Sequence, residues 1–126
     1  MESILLNLDM LLVPEERGVY SVVKQNDIVF LCANRNYCEI QTLDRRYTLS
    51  QPMGEVEELL IKSMFVRIGR SYIINMSHLK SVAGYQLTFT NKMSIEVSHE
   101  AWDRVYLALP IVGTRKRVME KWRKKE

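Results

Sequence analysis

Histidine, cysteine, proline and glycine are all scarce in this 126-residue chain, which has two His, two Cys, three Pro and five Gly. His78 and His99 stand apart, and neither lies in the context of a nucleophile elbow or a cysteine-protease site. No set of nucleophile, base and orienting group can be assembled from them. Cys32 and Cys38 have no Cys or His neighbours at metal-binding spacing, so they read as small buried hydrophobes of a reducing compartment. Neither GxGxxG nor GxxxxGK[ST] occurs, which removes the usual phosphate-binding loops. No apolar run approaches the roughly 18 residues needed to cross a bilayer. The opening MESILLNLDMLLVP carries Glu2 and Asp9 and no basic n-region, so it is not a signal peptide, and the expected compartment is the cytoplasm. The acidic pair Glu57-Glu58 reads as a solvated helix face rather than a general acid and base. The expectation is a protein that is not an enzyme, with no cofactor, metal or small-molecule substrate.

What is present is an ordinary globular composition, 47% hydrophobic and 26% charged, in a length that suits one domain with one core. The net charge of +3 is unevenly spread. Residues 115–126, RKRVMEKWRKKE, hold seven Lys/Arg and two Glu for a net +5, and subtracting this from +3 leaves the body at −2. The expected domain is therefore residues 1–113, with a basic tail at 114–126. Thr114 can cap a helix through Trp122 that carries Val118, Met119 and Trp122 roughly on one side. Three readings of this tail stand open: a solvated helix, a phosphate-binding arm, or a contact to a partner protein or anionic headgroups.

Short β-rich runs dominate the body. Val19–Val23, Ile28–Cys32, Tyr37–Thr42, Tyr47–Leu49, Leu79–Val82, Gln86–Thr90 and Met93–Val97 are dense in β-branched and aromatic residues or alternate in polarity. Ala33–Asn36 joins two of these as a hairpin, and 43–46, Gly84 and Asn91-Lys92 supply further turns. The first 13 residues partly alternate over Ile4–Met10 and are assigned to a strand. A helix is expected after Ser50, which can cap it, with Pro52 and Glu55 early and Met53, Val56, Leu59 and Leu60 on its buried face. Ser98 caps a second helix whose buried face carries Trp102, Val105, Tyr106 and Leu109 and which ends at Pro110. The fold class is mostly β: eight to ten short strands in small packed sheets, with one or two short helices.

The segment FVRIGRSYIIN, residues 65–75, interrupts an apolar strand pattern with Gly69, Arg70 and Ser71. Asn34, Arg35, Asn36 and Tyr37 form another polar tip, and Ser98-His99 a third. Each is compatible with an ordinary surface turn. Arg and Asn are also the side chains shaped to read guanine and adenine edges in a major groove, and a Ser at a turn can hold a phosphate.

The order NDIVFLCANRNYCEIQT, short helix, FVRIGRSYIINMSHLKSV, KMSIEVSHEAW resembles the LytTR DNA-binding domain of bacterial transcription regulators over about residues 17–108. The resemblance implies an elongated arrangement of about ten strands that inserts loops, rather than a helix, into successive major grooves of double-stranded DNA. It implies base contacts from Tyr37 with Asn36 beside it, from Arg70 and from His99. Arg35, Ser71 and Ser98 are the implied phosphate contacts. For Arg67, a phosphate contact and a surface ion pair both stand open. Binding to repeated half-sites, as a homodimer on DNA, is expected. Two positions depart from the family pattern: Gly69 stands for a histidine, and His99 for what is often Arg or Lys. They favour the alternative, a LytTR-like protein–protein module that sequesters a related regulator without binding DNA. Single-stranded RNA is disfavoured because the tyrosines fall mostly at strand positions. Many family members also carry an N-terminal receiver domain. A chain of this length has no room for one, so a stand-alone regulator or a fragment is expected, with Met1 leaning to a natural short chain.

Overall fold

The computed structural model describes residues 9–113. Among these, ten strands form three antiparallel sheets accompanied by two α-helices. The largest sheet has the order β5-β4-β3-β7-β6, built from β3 (Ile28–Asn34), β4 (Tyr37–Thr42), β5 (Arg46–Leu49), β6 (Phe65–Ile68) and β7 (Tyr72–Asn75). A hairpin of β1 (Met10–Pro14) and β2 (Tyr20–Lys24) forms the second sheet, and β8 (Leu79–Ala83), β9 (Gln86–Phe89) and β10 (Ser94–Glu96) form the third. Helix α1 (Met53–Glu57) connects β5 to β6, and α2 (His99–Ala108) follows β10.

Strand β3 explains the architecture. Ile28, Val29, Phe30 and Leu31 are all buried in succession, which a strand wet on one face would not permit. Ile28 and Leu31 enter a core closed by Val13 and Val23 of the hairpin and by Met53 and Val56 of α1. Val29 and Phe30 enter a second core on the opposite face, closed by Leu87, Phe89 and Ile95 and by Trp102 and Val105 of α2. A register shift between Ile28 and Phe30 turns both Val29 and Phe30 to that side. The central sheet is thus sandwiched, each buried Ile, Leu or Val contributing roughly 1.5–3 kcal/mol of apolar transfer.

Two buried amides tie the connecting segments to this frame. Gln25 donates to Leu59 O at 3.1 Å and accepts from Ile61 N at 2.8 Å. Asn75 donates to Ile28 O at 2.9 Å and accepts from Ser77 N at 3.0 Å.

Several helix expectations are corrected. Pro52, not Ser50, occupies the N-cap of α1 and makes no side-chain cap bond; the helix is a single short turn ending at Glu57. Leu59 therefore falls outside it and is 59% exposed. Leu109, expected on the buried face of α2, lies beyond that helix and is 40% exposed. The cap at Ser98 is as expected, its Oγ accepting from Ala101 N at 3.1 Å. At the β9–β10 turn, Lys92 adopts φ +73°, and Asn91 Oδ1 accepts from Met93 N at 3.1 Å. Residues 4–8 of the strand expected over Ile4–Met10 and the basic tail lie outside the described residues, whereas Met10–Pro14 is a strand. No described helix is long and apolar enough to cross a membrane.

Candidate functional site

The β3–β4 hairpin closes through the pair Asn34↔Tyr37, leaving Arg35 and Asn36 as its two tip residues. Arg35 adopts φ +59°, a left-handed conformation that costs a non-glycine residue roughly 1–2 kcal/mol. Both tip side chains are exposed. Tyr37 is 49% exposed although Cys38 and Ile40 in the same strand are fully buried.

The β6–β7 turn is Gly69-Arg70-Ser71, all exposed. Gly69 has φ +81°, and a Cβ added there would stand 3.4 Å from Ala101 Cβ on α2. The glycine therefore answers a backbone demand, while the contact that a Cβ would make with Ala101 is ordinary packing. Arg67, at the end of β6, folds back under the turn. Its Nε donates to Gly69 O at 3.1 Å and its Nη2 to Arg70 O at 3.4 Å, while Nη1 pairs with Glu57 Oε1 of α1 at 2.8 Å. Of the two readings of Arg67, the ion pair is present. Glu57 is correspondingly not a merely solvated carboxylate. From the other side, Arg104 Nη1 donates to Arg67 O at 3.3 Å.

These tips share one end of the central sheet. Ala33 N donates to Ser71 O at 2.8 Å, next to the Cys32↔Tyr72 pair, so the β3–β4 tip and the β6–β7 turn lie side by side. An open cleft beside the turn is lined by Arg70, Ser71, Ser98, Glu100 and Arg104. His99 opens α2, exposed, its ring 5.7 Å from that of Tyr85. Ser98 spends an oxygen lone pair on its cap, which leaves its hydroxyl proton to donate to an anion. Chemically, the two tips and the cleft offer guanidinium forks, an amide and hydroxyls beside the Glu100 carboxylate, groups suited to anionic backbone and base edges, whereas the His99 imidazole does not line the cleft.

Sequence reasoning missed Arg104 and Glu57. Arg104 has the pattern of any cation on a helix surface, and Glu57 meets Arg67 only because α1 packs beside β6; a one-dimensional pattern carries no signal for either. The two cysteines pack against different cores. Cys38 lies in the core closed by α1, and burial pushes its thiol up to about 11. Cys32 packs on the opposite core, with burial again the leading cause of a raised pKa. Among the described residues, no three His, Cys, Asp or Glu side chains group as a metal site.

A family model described as the LytTr DNA-binding domain matches residues 19–109. Among curated proteins, the Transcriptional regulatory protein LytR of Staphylococcus aureus (strain N315) is 30% identical over 96 residues, covering 72% of this chain and 39% of that protein. The Sensory transduction protein LytR of Staphylococcus haemolyticus (strain JCSC1435) is 31% identical over 99 residues, covering 73% of this chain and 38% of that protein. The chain thus spans well under half the length of these relatives. A solved LytTr DNA-binding domain of a putative methyl-accepting/DNA response regulator from Bacillus cereus superposes with a TM-score of 0.69 at 20% identity, over 82% of this chain and 98% of that one.

Proposed function

The chain belongs to the LytTR family of DNA-binding domains, and from that membership we propose that it is a sequence-specific transcription regulator that reads double-stranded DNA through loop tips in successive major grooves. Arg70 is the principal reader, its guanidinium forking onto a guanine edge. Asn36, Tyr37 and His99 read neighbouring positions. Arg35, Ser71 and Ser98 hold phosphates, and the outer face of Arg67 adds positive charge beside them. The observation that carries this reading is the bond from Ala33 N to Ser71 O, which sets two polar tips side by side on one rigid sheet end. A base reader needs such a support, because side-chain freedom surrendered on docking weakens discrimination.

Gly69 is one of the two features that favour a sequestering module. Its left-handed backbone is by itself a reason for a glycine there, so Gly69 does not on its own speak against DNA reading. Binding in pairs to repeated half-sites belongs to the same proposal.

The test is selection from a random-site pool, followed by gel-shift titration of the enriched duplex. Arg70→Ala is expected to cost about 1–3 kcal/mol and to relax preference at one base pair. Absence of any enriched motif, with tight binding to a related regulator instead, would establish the sequestering function. Unchanged affinity and preference in Arg70→Ala would remove Arg70 as the reader.

A further inference from the structure

From the contacts of Arg67, we infer that Glu57, on a helix outside the loop tips, is a positioning residue for base reading by Arg70. The inference rests on the reading of Arg70 given above and adds a residue that acts through another.

The guanidinium of Arg67 has its donors divided among three acceptors. Nε and Nη2 reach the carbonyls of Gly69 and Arg70, at 3.1 and 3.4 Å, and Nη1 reaches Glu57 Oε1 at 2.8 Å. The two carbonyls belong to the turn that presents Arg70, so the plane of this guanidinium fixes the direction in which the turn projects. A planar fork can be turned about its own stem, and what stops it is the third contact, the charge-assisted bond to Glu57. Glu57 is itself held by α1, whose Met53 and Val56 are buried in the core. On the opposite side the turn meets α2, where Ala101 Cβ lies 3.4 Å from the Cβ position of Gly69 and Arg104 donates to Arg67 O. The reading turn is clamped between the two helices, with Glu57 as one jaw.

Arg67 and Glu57 are about one-third exposed at their side chains. A pair this wet adds little to folding stability. Its removal should therefore show in discrimination between DNA sequences and not in the melting temperature, which separates positioning from a merely structural role.

The experiment uses the full chain and two probes: the duplex enriched by the wild-type protein from a random pool, and a random-sequence duplex of equal length. Glu57→Gln keeps the shape and removes the charge. It is expected to lower the ratio of selected to random affinity by about three- to tenfold, with Tm shifted by no more than about 2 °C. Arg67→Lys, which keeps a charge but cannot span three acceptors, should lower the ratio similarly. In an Arg70→Ala background, Glu57→Gln should have no further effect on the ratio, because the group it positions is gone.

A wild-type ratio in Glu57→Gln while Arg70→Ala loses discrimination overturns the inference and leaves Arg70 as the reader. Equal losses from Glu57→Gln in both backgrounds, or a loss that accompanies a fall in Tm of several degrees, overturn it as well. If Arg70→Ala itself retains full discrimination, it is the assignment of Arg70 that fails.

Discussion

At position 69 the missing Cβ answers a demand of the backbone. The backbone adopts φ +81°, and α2 approaches until Ala101 Cβ stands 3.4 Å from where a side chain would begin. Gly69→Ala places an L side chain in the left-handed region at a cost of roughly 1–2 kcal/mol. The contact at 3.4 Å is ordinary van der Waals packing, so the backbone conformation sets the magnitude. The urea midpoint should fall accordingly, and the affinity for the selected duplex should fall further than stability alone requires, because the turn carries Arg70. A Gly69→Ala protein as stable as wild type would show that this turn can relax to negative φ. Arg35 is the converse case, a side chain retained at φ +59° on a tip where a glycine would have been easier. A function for the Arg35 guanidinium at the DNA backbone is consistent with that choice.

At the scale of elements, α2 serves packing and the candidate interface together. Trp102 and Val105 close one core, while Ser98 at the helix start lines the cleft beside Arg70 and His99 sets its ring against that of Tyr85. Ser98 caps the helix and has a proposed role at a phosphate, and substitution can separate the two. Ser98→Ala removes the cap bond to Ala101 N and should cost about 1 kcal/mol. Ser98→Asp keeps a capping oxygen and a favourable charge at the helix start, so stability should hold. Its carboxylate would face DNA phosphates, and affinity for any duplex should drop by on the order of tenfold at low salt. Thermal melts and anisotropy titrations on the two variants read these outcomes; equal DNA affinity for Ser98→Asp and wild type would move the phosphate contact elsewhere.

For the whole molecule, the charge distribution and the two-sided core decide different properties. The body carries −2 and residues 115–126 carry +5, so the sequence-independent attraction to DNA must draw heavily on the tail if the tail reaches the duplex. Deleting 115–126 is expected to flatten the slope of log K against log salt by roughly 0.9 for each phosphate that the tail neutralises. An unchanged slope would leave the tail without a part in binding. The strand pattern is legible because alternation and β-branched density mark strands directly, as at Tyr37–Thr42, where the strand has the bounds expected from the residues alone. The first helix departs from its expected cap and buried face because spacing carries no word of what lies across the core. The chain leaves that helix after Glu57, with Gln25 taking Ile61 N and donating to Leu59 O. The tips at 34–37, 69–71 and 98–99 are visible in one dimension, since turn residues and a cap are local features. Their adjacency is not, and neither are the contacts of Arg67 with Glu57 or the nearness of Arg104. The sequence by itself determined the strands, their turns and which polar side chains stand at the tips, because backbone preference and hydrophobic period act over a few residues. Only the tertiary structure decided that β7 pairs with β3 and so brings the tips together, because the pairing of strands so far apart in the chain is settled by which cores the two faces of β3 can bury.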